Sequence, residues 1–244
     1  MDEGGDLTVP PFAFSLDLFG DAVNFVLHPQ EAQGGGVMVG GPSQVLELAT
    51  KQLEVTVLAL GVAVLLALPV GLLLGHFGRG EFIAVSAGNA GRAVPELALI
   101  ALMAAAVGVG LFNLVVALAI LGIPPILTNT FVGIRQVDRS SVESAKGMGM
   151  TNREIITKVE LPLAIPTIMG GVRTASINII ATATIAPLAG ILTLGDFIIA
   201  RNVYGDAGVL AGAVLVALMA ISIEGLLAGV QWALTPKGLK LQRA

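Results

Sequence analysis

The chain has 244 residues, 55% of them hydrophobic and 12% charged, with a mean hydropathy of +0.88. A soluble domain carries roughly 25% charged residues, so this composition excludes an ordinary water-soluble globule and points to a bilayer, whose core about 20 consecutive apolar residues can span. The absence of cysteine excludes a disulfide framework and a thiolate metal site, and the net charge of −4 says less than where the charges sit.

Residues 1–45 form an acidic, Gly- and Pro-rich segment containing the run Gly34-Gly35-Gly36. Its first residues are acidic where the n-region of a secretory signal is basic, and no continuous apolar h-region follows. The only periodic stretch, Phe12 to Val26, is amphipathic and reads as a surface helix rather than a span. The first span is expected at about 53–75 (LEVTVLALGVAVLLALPVGLLLG). His28 and His76 are far apart and have no ligand-like neighbours in sequence, so no metal or other cofactor is expected.

The next apolar block is too long for one helix and divides at Gly108-Val109-Gly110, giving spans near 82–107 and 111–134. The second span opens with Asn89, Arg92 and Glu96 around Pro95, which frees a backbone carbonyl and should kink the helix. Arg92 and Glu96 stand at i, i+4 and can pair on one face. They read either as an internal ion pair near an entrance or as part of a pore wall, because polar groups inside a bilayer usually face the protein interior. Pro124-Pro125 should bend the third span.

A polar cassette, 138–162, interrupts the apolar chain. Ser140-x-x-Glu143 and Thr151-x-x-Glu154 both fit capping boxes. Gly147 and Gly149 supply a break between the two short helices, and the second helix should stop before Pro162. Val142, Ala145 and Met148 fall on one face of the first helix, and Ile155, Ile156 and Val159 give the second an apolar face. By its periodicity alone the cassette could be an amphipathic loop packed on its own helix ends. A DNA-binding helix-turn-helix does not fit, since the charges are mixed and the segment is held between two spans.

The fourth span is expected at about 163–188 and the fifth at 209–234, followed by a tail, 237–244. Thr174 and Asn178 stand at i, i+4 and Thr182 continues the series, which reads as helix–helix glue or as pore lining. Glu224 in the fifth span is expected to be neutral or paired with Arg or Asn on another helix. Gly71-xxx-Gly75, Gly208-xxx-Gly212 and Gly225-xxx-Gly229 permit close helix contacts. Lys and Arg cluster after the first span, in the cassette and in the tail, whereas the other side holds Lys51, Arg201 and the acidic N-terminal residues. The positive-inside rule therefore puts the N-terminus outside and the cassette and C-terminus in the cytoplasm.

The cassette resembles the EAA motif of permease subunits in bacterial ABC importers: Glu-Ala-Ala, three residues, Gly, nine residues, Ile-x-Leu-Pro. Here it reads Glu143-Ser144-Ala145, Gly149, then Val159-Glu160-Leu161-Pro162, with every spacing kept and Ser144 and Val159 as mild departures. Residues 127–175, AVPELALIAL (93–102) and TLGDFI (193–198) further resemble the branch that imports glycine betaine, choline and related osmoprotectants. The family's usual glycine-rich run after the fourth span departs here to Gly190-Ile-Leu-Thr-Leu-Gly195, which puts the outer loop's shape in question.

The resemblance implies an all-α membrane protein with five transmembrane helices and the type I ABC importer permease (MetI-like) fold, its permease domain covering 46–236. It also implies that Glu143, Ser144, Ala145, Gly149, Val159, Leu161 and Pro162 couple the subunit to a cytoplasmic ABC ATPase. A second permease subunit, an extracytoplasmic substrate-binding protein and an inner-membrane location follow from the same likeness. No G-x-x-x-x-G-K-[ST] loop occurs, so ATP is expected to bind only on the partner ATPase, and this chain is not expected to be an enzyme. Asn89, Arg92, Glu96, Thr174, Asn178 and Thr182 are the candidates for a translocation path. With one Trp and one Tyr the chain is not expected to build a Trp/Tyr cage for a quaternary ammonium, so substrate choice is expected to lie mainly in the binding protein. An importer for another small solute, an ion-coupled carrier and a scaffold without transport are the competing readings. The second lacks a matching inverted half, and the third leaves the intramembrane polar residues without a role.

Overall fold

The first apolar run folds as the middle of a helix far longer than a span. In the computed structural model, which describes residues 16–82, 84, 86, 88, 94–236 and 238, this helix, α2, covers Gly41–Phe77. It starts ahead of the expected Leu53 because Pro42 lies in its first turn, where a missing N–H leaves no bond unmade. Its 37 residues extend roughly 55 Å at about 1.5 Å each, well past a hydrocarbon core of about 30 Å. Gly78 ends it in the left-handed conformation (φ 63), with Gly78 N–H donating to the Gly75 carbonyl and Arg79 N–H to that of Leu74.

Ahead of α2 stands a folded unit that the sequence reading only half anticipated. The amphipathic stretch forms α1 (Leu16–Leu27), and an antiparallel hairpin of β1 (Pro29–Glu31) and β2 (Met38–Gly40) follows it. The triglycine run makes the turn, with Gly35 and Gly36 at φ 73 and 79. This unit is anchored: Phe25 is fully buried and meets Phe197 and Tyr204 edge-on, at centroid distances of 5.1 and 6.2 Å.

The expected second span is not one continuous helix. Val94 and Pro95 are non-helical, Pro95 is extended (ψ 120), and α3 begins only at Glu96 and ends at Val107. Proline lacks the N–H and pushes its predecessor out of the helical region, so the sequence breaks here where a kink was expected. The 12 residues of α3 reach about 18 Å, too short to cross a membrane alone. Asn89 and Arg92, and with them the expected Arg92–Glu96 pair, lie outside the described residues.

Next come α4 (Leu111–Arg135), α5 (Arg139–Gly147), the single turn α6 (Asn152–Ile155) and a π-helical turn (Ile156–Glu160), then α7 (Leu161–Thr182) with a 3₁₀ extension (Ala183–Ala189). The chain closes with α8 (Gly195–Ile199) and α9 (Arg201–Leu234). Among the described residues four helical stretches are long and apolar enough to cross a membrane: Gly41–Phe77, Leu111–Arg135, Asn152–Ala189 and Arg201–Leu234.

Helix α4 is the central post, packed between α2 and α7. Small residues let the backbones approach: a Cβ on Gly71 would fall 2.6 Å from Thr130 Cβ, and one on Gly75 2.7 Å from Ile134 Cβ. Gly71-xxx-Gly75 is thus a genuine helix contact, whereas added Cβ atoms on Gly225 and Gly229 would meet nothing within 4 Å. Exposed apolar side chains line α9, Leu218, Ile221 and Leu226 among them, and such a surface requires lipid or protein cover.

Candidate functional site

The cassette is a hairpin of two capped helices rooted in α7. Its first helix, α5, starts at Asp138, whose carboxylate accepts the Ser141 N–H (3.1 Å), the Ser141 hydroxyl (3.2 Å) and the Ser140 hydroxyl. The expected box between Ser140 and Glu143 therefore does not cap this helix. Asp138 stands one place before the first helical residue, the position from which a side chain reaches the orphan amides. The bonds from the Ser140 hydroxyl and then the Ser141 amide hold the Asp138 carboxyl below its usual range.

The far end of α5 explains the spacing of the motif. Met150 N–H donates to the Ala145 carbonyl (3.2 Å) and Gly149 N–H to the Lys146 carbonyl (2.9 Å), the paired bonds of a helix-ending Schellman turn. Gly149 sits at φ 80, in the left-handed region where a Cβ is strained. Ala145 is buried, while Glu143, Ser144 and Met148 are exposed, so the expected face of Val142, Ala145 and Met148 divides where the helix ends. Thr151 and Glu154 form the expected capping box: Glu154 N–H donates to Thr151 Oγ1 (3.3 Å) and Thr151 N–H to Glu154 Oε2 (3.1 Å).

The second helix does not stop before Pro162. It passes through the π turn, where Leu161 N–H donates to the Ile156 carbonyl, directly into α7. The widened turn gives the proline ring room against the preceding carbonyls, which a tight α-turn denies it. Val159, Leu161 and Pro162 are half-buried along this continuous rod.

Two residues that sequence reasoning left without a role meet at the root of the cassette. His76 Nδ1 lies 2.7 Å from Glu160 Oε2, and both side chains are 5% exposed. The signal for Glu160 was its place as the one acidic residue in the apolar run VELPL; nothing in the sequence named its partner. Alongside is a cavity of about 460 Å³ lined by Glu143, Lys146, Arg135, Arg139, His76 and Glu160, among others.

Of the intramembrane candidates, Thr182 and Glu96 are brought together, the Thr182 hydroxyl donating to Glu96 Oε2 at 2.6 Å. Thr174 and Asn178 share an exposed face of α7, from which buried Thr182 has turned away. At 3.6 residues per turn each i+4 step rotates by about 40°, so eight residues carry the series roughly 80° around the helix. Glu224 is paired with Arg173 of α7, whose Nε approaches its carboxylate at 2.8 Å while Nη1 donates to Gln231 (2.8 Å).

The atypical loop keeps glycine at the two places that require it. Gly190 is left-handed (φ 78), and a Cβ on Gly195 would fall 1.8 Å from the Thr184 carbonyl oxygen. Between them Thr193 and Leu194 are buried, and the Thr193 hydroxyl donates to the Ala183 carbonyl (2.9 Å).

Several bilayer-length helices around a central post, with a polar hairpin built into the rod that forms α7, define a multi-pass membrane protein. The chain belongs to the family of binding-protein-dependent transport system inner membrane components, whose model matches residues 50–233. It is 39% identical over 191 residues to the glycine betaine/carnitine/choline transport system permease protein OpuCB of Bacillus subtilis (strain 168), covering 78% of this chain and 88% of that one. It is 33% identical over 195 residues to the osmoprotectant import permease protein OsmY of Salmonella typhimurium, covering 78% and 82%. Among solved structures, an inward-facing form of the MetNI methionine ABC transporter superposes with a TM-score of 0.69 at 22% identity, covering 79% of this chain and 96% of that one. That likeness speaks for the fold.

Proposed function

We propose that this subunit carries compatible solutes such as glycine betaine, choline or related quaternary ammonium compounds across the cell membrane, driven by a separate ABC ATPase. Support for the substrate class comes from the relatives named above. Support for the drive comes from the cassette, the observation that carries the reading. Two capped helices present exposed Glu143, Ser144 and Met148 at one end of the bundle, and the same rod continues without a break through Pro162 into α7. A partner that grips α5 therefore moves a membrane helix directly, and alternating access follows from its closing and opening on ATP.

The assembly proposed is two permease subunits, two ATPases and an extracytoplasmic binding protein. The N-terminal unit faces outside and the cassette and tail face the cytoplasm, in accord with the placement of Lys and Arg. The fifth crossing is the segment around 82–107, broken at Pro95. Glu143, Ser144, Ala145, Gly149, Val159, Leu161 and Pro162 serve coupling; Asn89, Arg92, Glu96, Thr174, Asn178 and Thr182 belong to the path.

Selection of the solute lies with the binding protein. Tyr204 is packed against Phe25 and Phe197, with no room between the rings for a cation, and Trp232 stands near the far end of α9, beyond the non-helical break at Gly205 (φ 65). Co-purification with the ATPase tests the assembly: wild type should retain it, and Glu143→Ala should lose much of it. Labelling of the cassette by a membrane-impermeant reagent in intact cells would overturn the topology and with it the coupling role.

A further inference from the structure

The His76–Glu160 pair lies outside the exposed coupling surface and outside the intramembrane path, yet it joins residues 84 positions apart in sequence. Burying a carboxylate is costly unless a partner meets it. An apolar pair of similar volume would commonly hold two helices together as well or better, so helix packing alone does not account for an ionisable pair at this place.

Its position does. Glu160 is the last residue of the π turn, and π turns are places where helices bend. This is where the rod from cassette to α7 departs from regular helix. On the other side, His76 sits in the last turn of α2, and that turn is closed and packed as part of the helix rather than frayed. Gly75 is pressed onto Ile134 of α4, the Schellman bonds close the helix end, and the Phe77 ring meets the imidazole edge-on at 5.0 Å. A displacement of α5 and α6 that bends the rod at the π turn must therefore pull on α2 as well as on α7.

We propose that His76 and Glu160 are positioning residues that carry the motion of the cassette into α2, so that two helices, not one, are driven by the ATPase. This rests on the reading of the cassette as the coupling segment. The test uses the complete transporter, with ATPase, permease and binding protein reconstituted in liposomes, and records both solute uptake and ATP hydrolysis. Either His76→Gln or Glu160→Gln should lower the solute moved per ATP by about fivefold or more, the lower end of typical coupling between sites. Exchanging the pair, His76→Glu with Glu160→His, should restore much of it. A fold defect lowers uptake and hydrolysis together and leaves their ratio unchanged; an unchanged ratio overturns the proposal.

Should those variants fail to accumulate, the natural absence of cysteine allows a second route. His76→Cys with Glu160→Cys should be poorly coupled, and bridging the two thiols with a short cross-linker should recover coupling; arrest on bridging overturns the proposal. Glu143→Ala in the same preparation separates the two levels. If it abolishes stimulated hydrolysis while the pair variants keep a normal ratio, only the pair's role falls; if it changes nothing, the coupling reading falls too.

Discussion

The hydroxyl of Thr182 on α7 donates a 2.6 Å hydrogen bond to the carboxylate of Glu96, the first residue of α3 after the Pro95 break. The bond ties the short helix to the rod that the cassette extends. Thr182→Val keeps the shape and removes the donor. A hydrogen bond inside a membrane protein averages about 0.6 kcal/mol, so the loss of thermal stability should be slight. If the pair belongs to the path, uptake at equal membrane abundance should fall far more than that small change suggests. Uptake at the wild-type level would remove Thr182 from the path.

Gly149→Val places a β-branched residue at φ 80, at a cost of about 1–2 kcal/mol or more. No neighbouring atom lies within 4 Å of the added Cβ, so the strain is local to the turn. Insertion into the membrane should be normal while binding-protein-stimulated ATP hydrolysis drops. Hydrolysis assays on the reconstituted complex, beside a quantitative membrane blot, check both halves.

Gly195→Ala and Gly225→Ala make the same chemical change in opposite settings. At Gly195 the new methyl would collide with the Thr184 carbonyl oxygen; at Gly225 it meets nothing within 4 Å. The first should destabilise by about 3 kcal/mol or more, at the upper end for single substitutions. The second should leave the stability of the isolated subunit within about 1 kcal/mol of wild type. Thermal melts in detergent should separate them clearly.

Asp138→Asn should remove an acid-sensitive part of the cassette's stability. Because the folded carboxyl is held below its unfolded value, chiefly by the Ser140 hydroxyl, its contribution is present above the unfolded value, near 3.9. That contribution is lost as pH falls through the folded one. The gap in melting temperature between wild type and variant should be full at neutral pH and should narrow below about pH 4. A gap that widened with acid would contradict the hydrogen-bond account of the cap.

How much was legible depended on the range of the signal. Capping and breaking are local: Thr151 and Glu154 lie three residues apart, Gly149 ends a helix through bonds from its own turn, and the block near residues 108–110 divides where two glycines leave the helical region. Apolar length is likewise a property of a stretch by itself, which is why four long helices fall where hydropathy put them. Competition between local choices was harder to read. The sequence reading puts the cap at Ser140, yet the helix begins at Arg139 and the carboxylate of Asp138, one place earlier, caps it. Pro162 ended a helix on paper, yet a π turn accommodated it.

The sequence by itself determined the membrane class, the polar hairpin and the register of its motif, because each is written in residues within one or two turns of each other. Only tertiary structure decided that Glu160 faces His76, that Thr182 leaves the face of Thr174 to meet Glu96, and that Phe25 closes on Phe197 and Tyr204. These contacts join elements distant in sequence: His76 meets Glu160 where α2, α4 and α7 approach through their glycines, and Phe25 closes where Gly208 lets α1 come near α9, a geometry that no local pattern encodes.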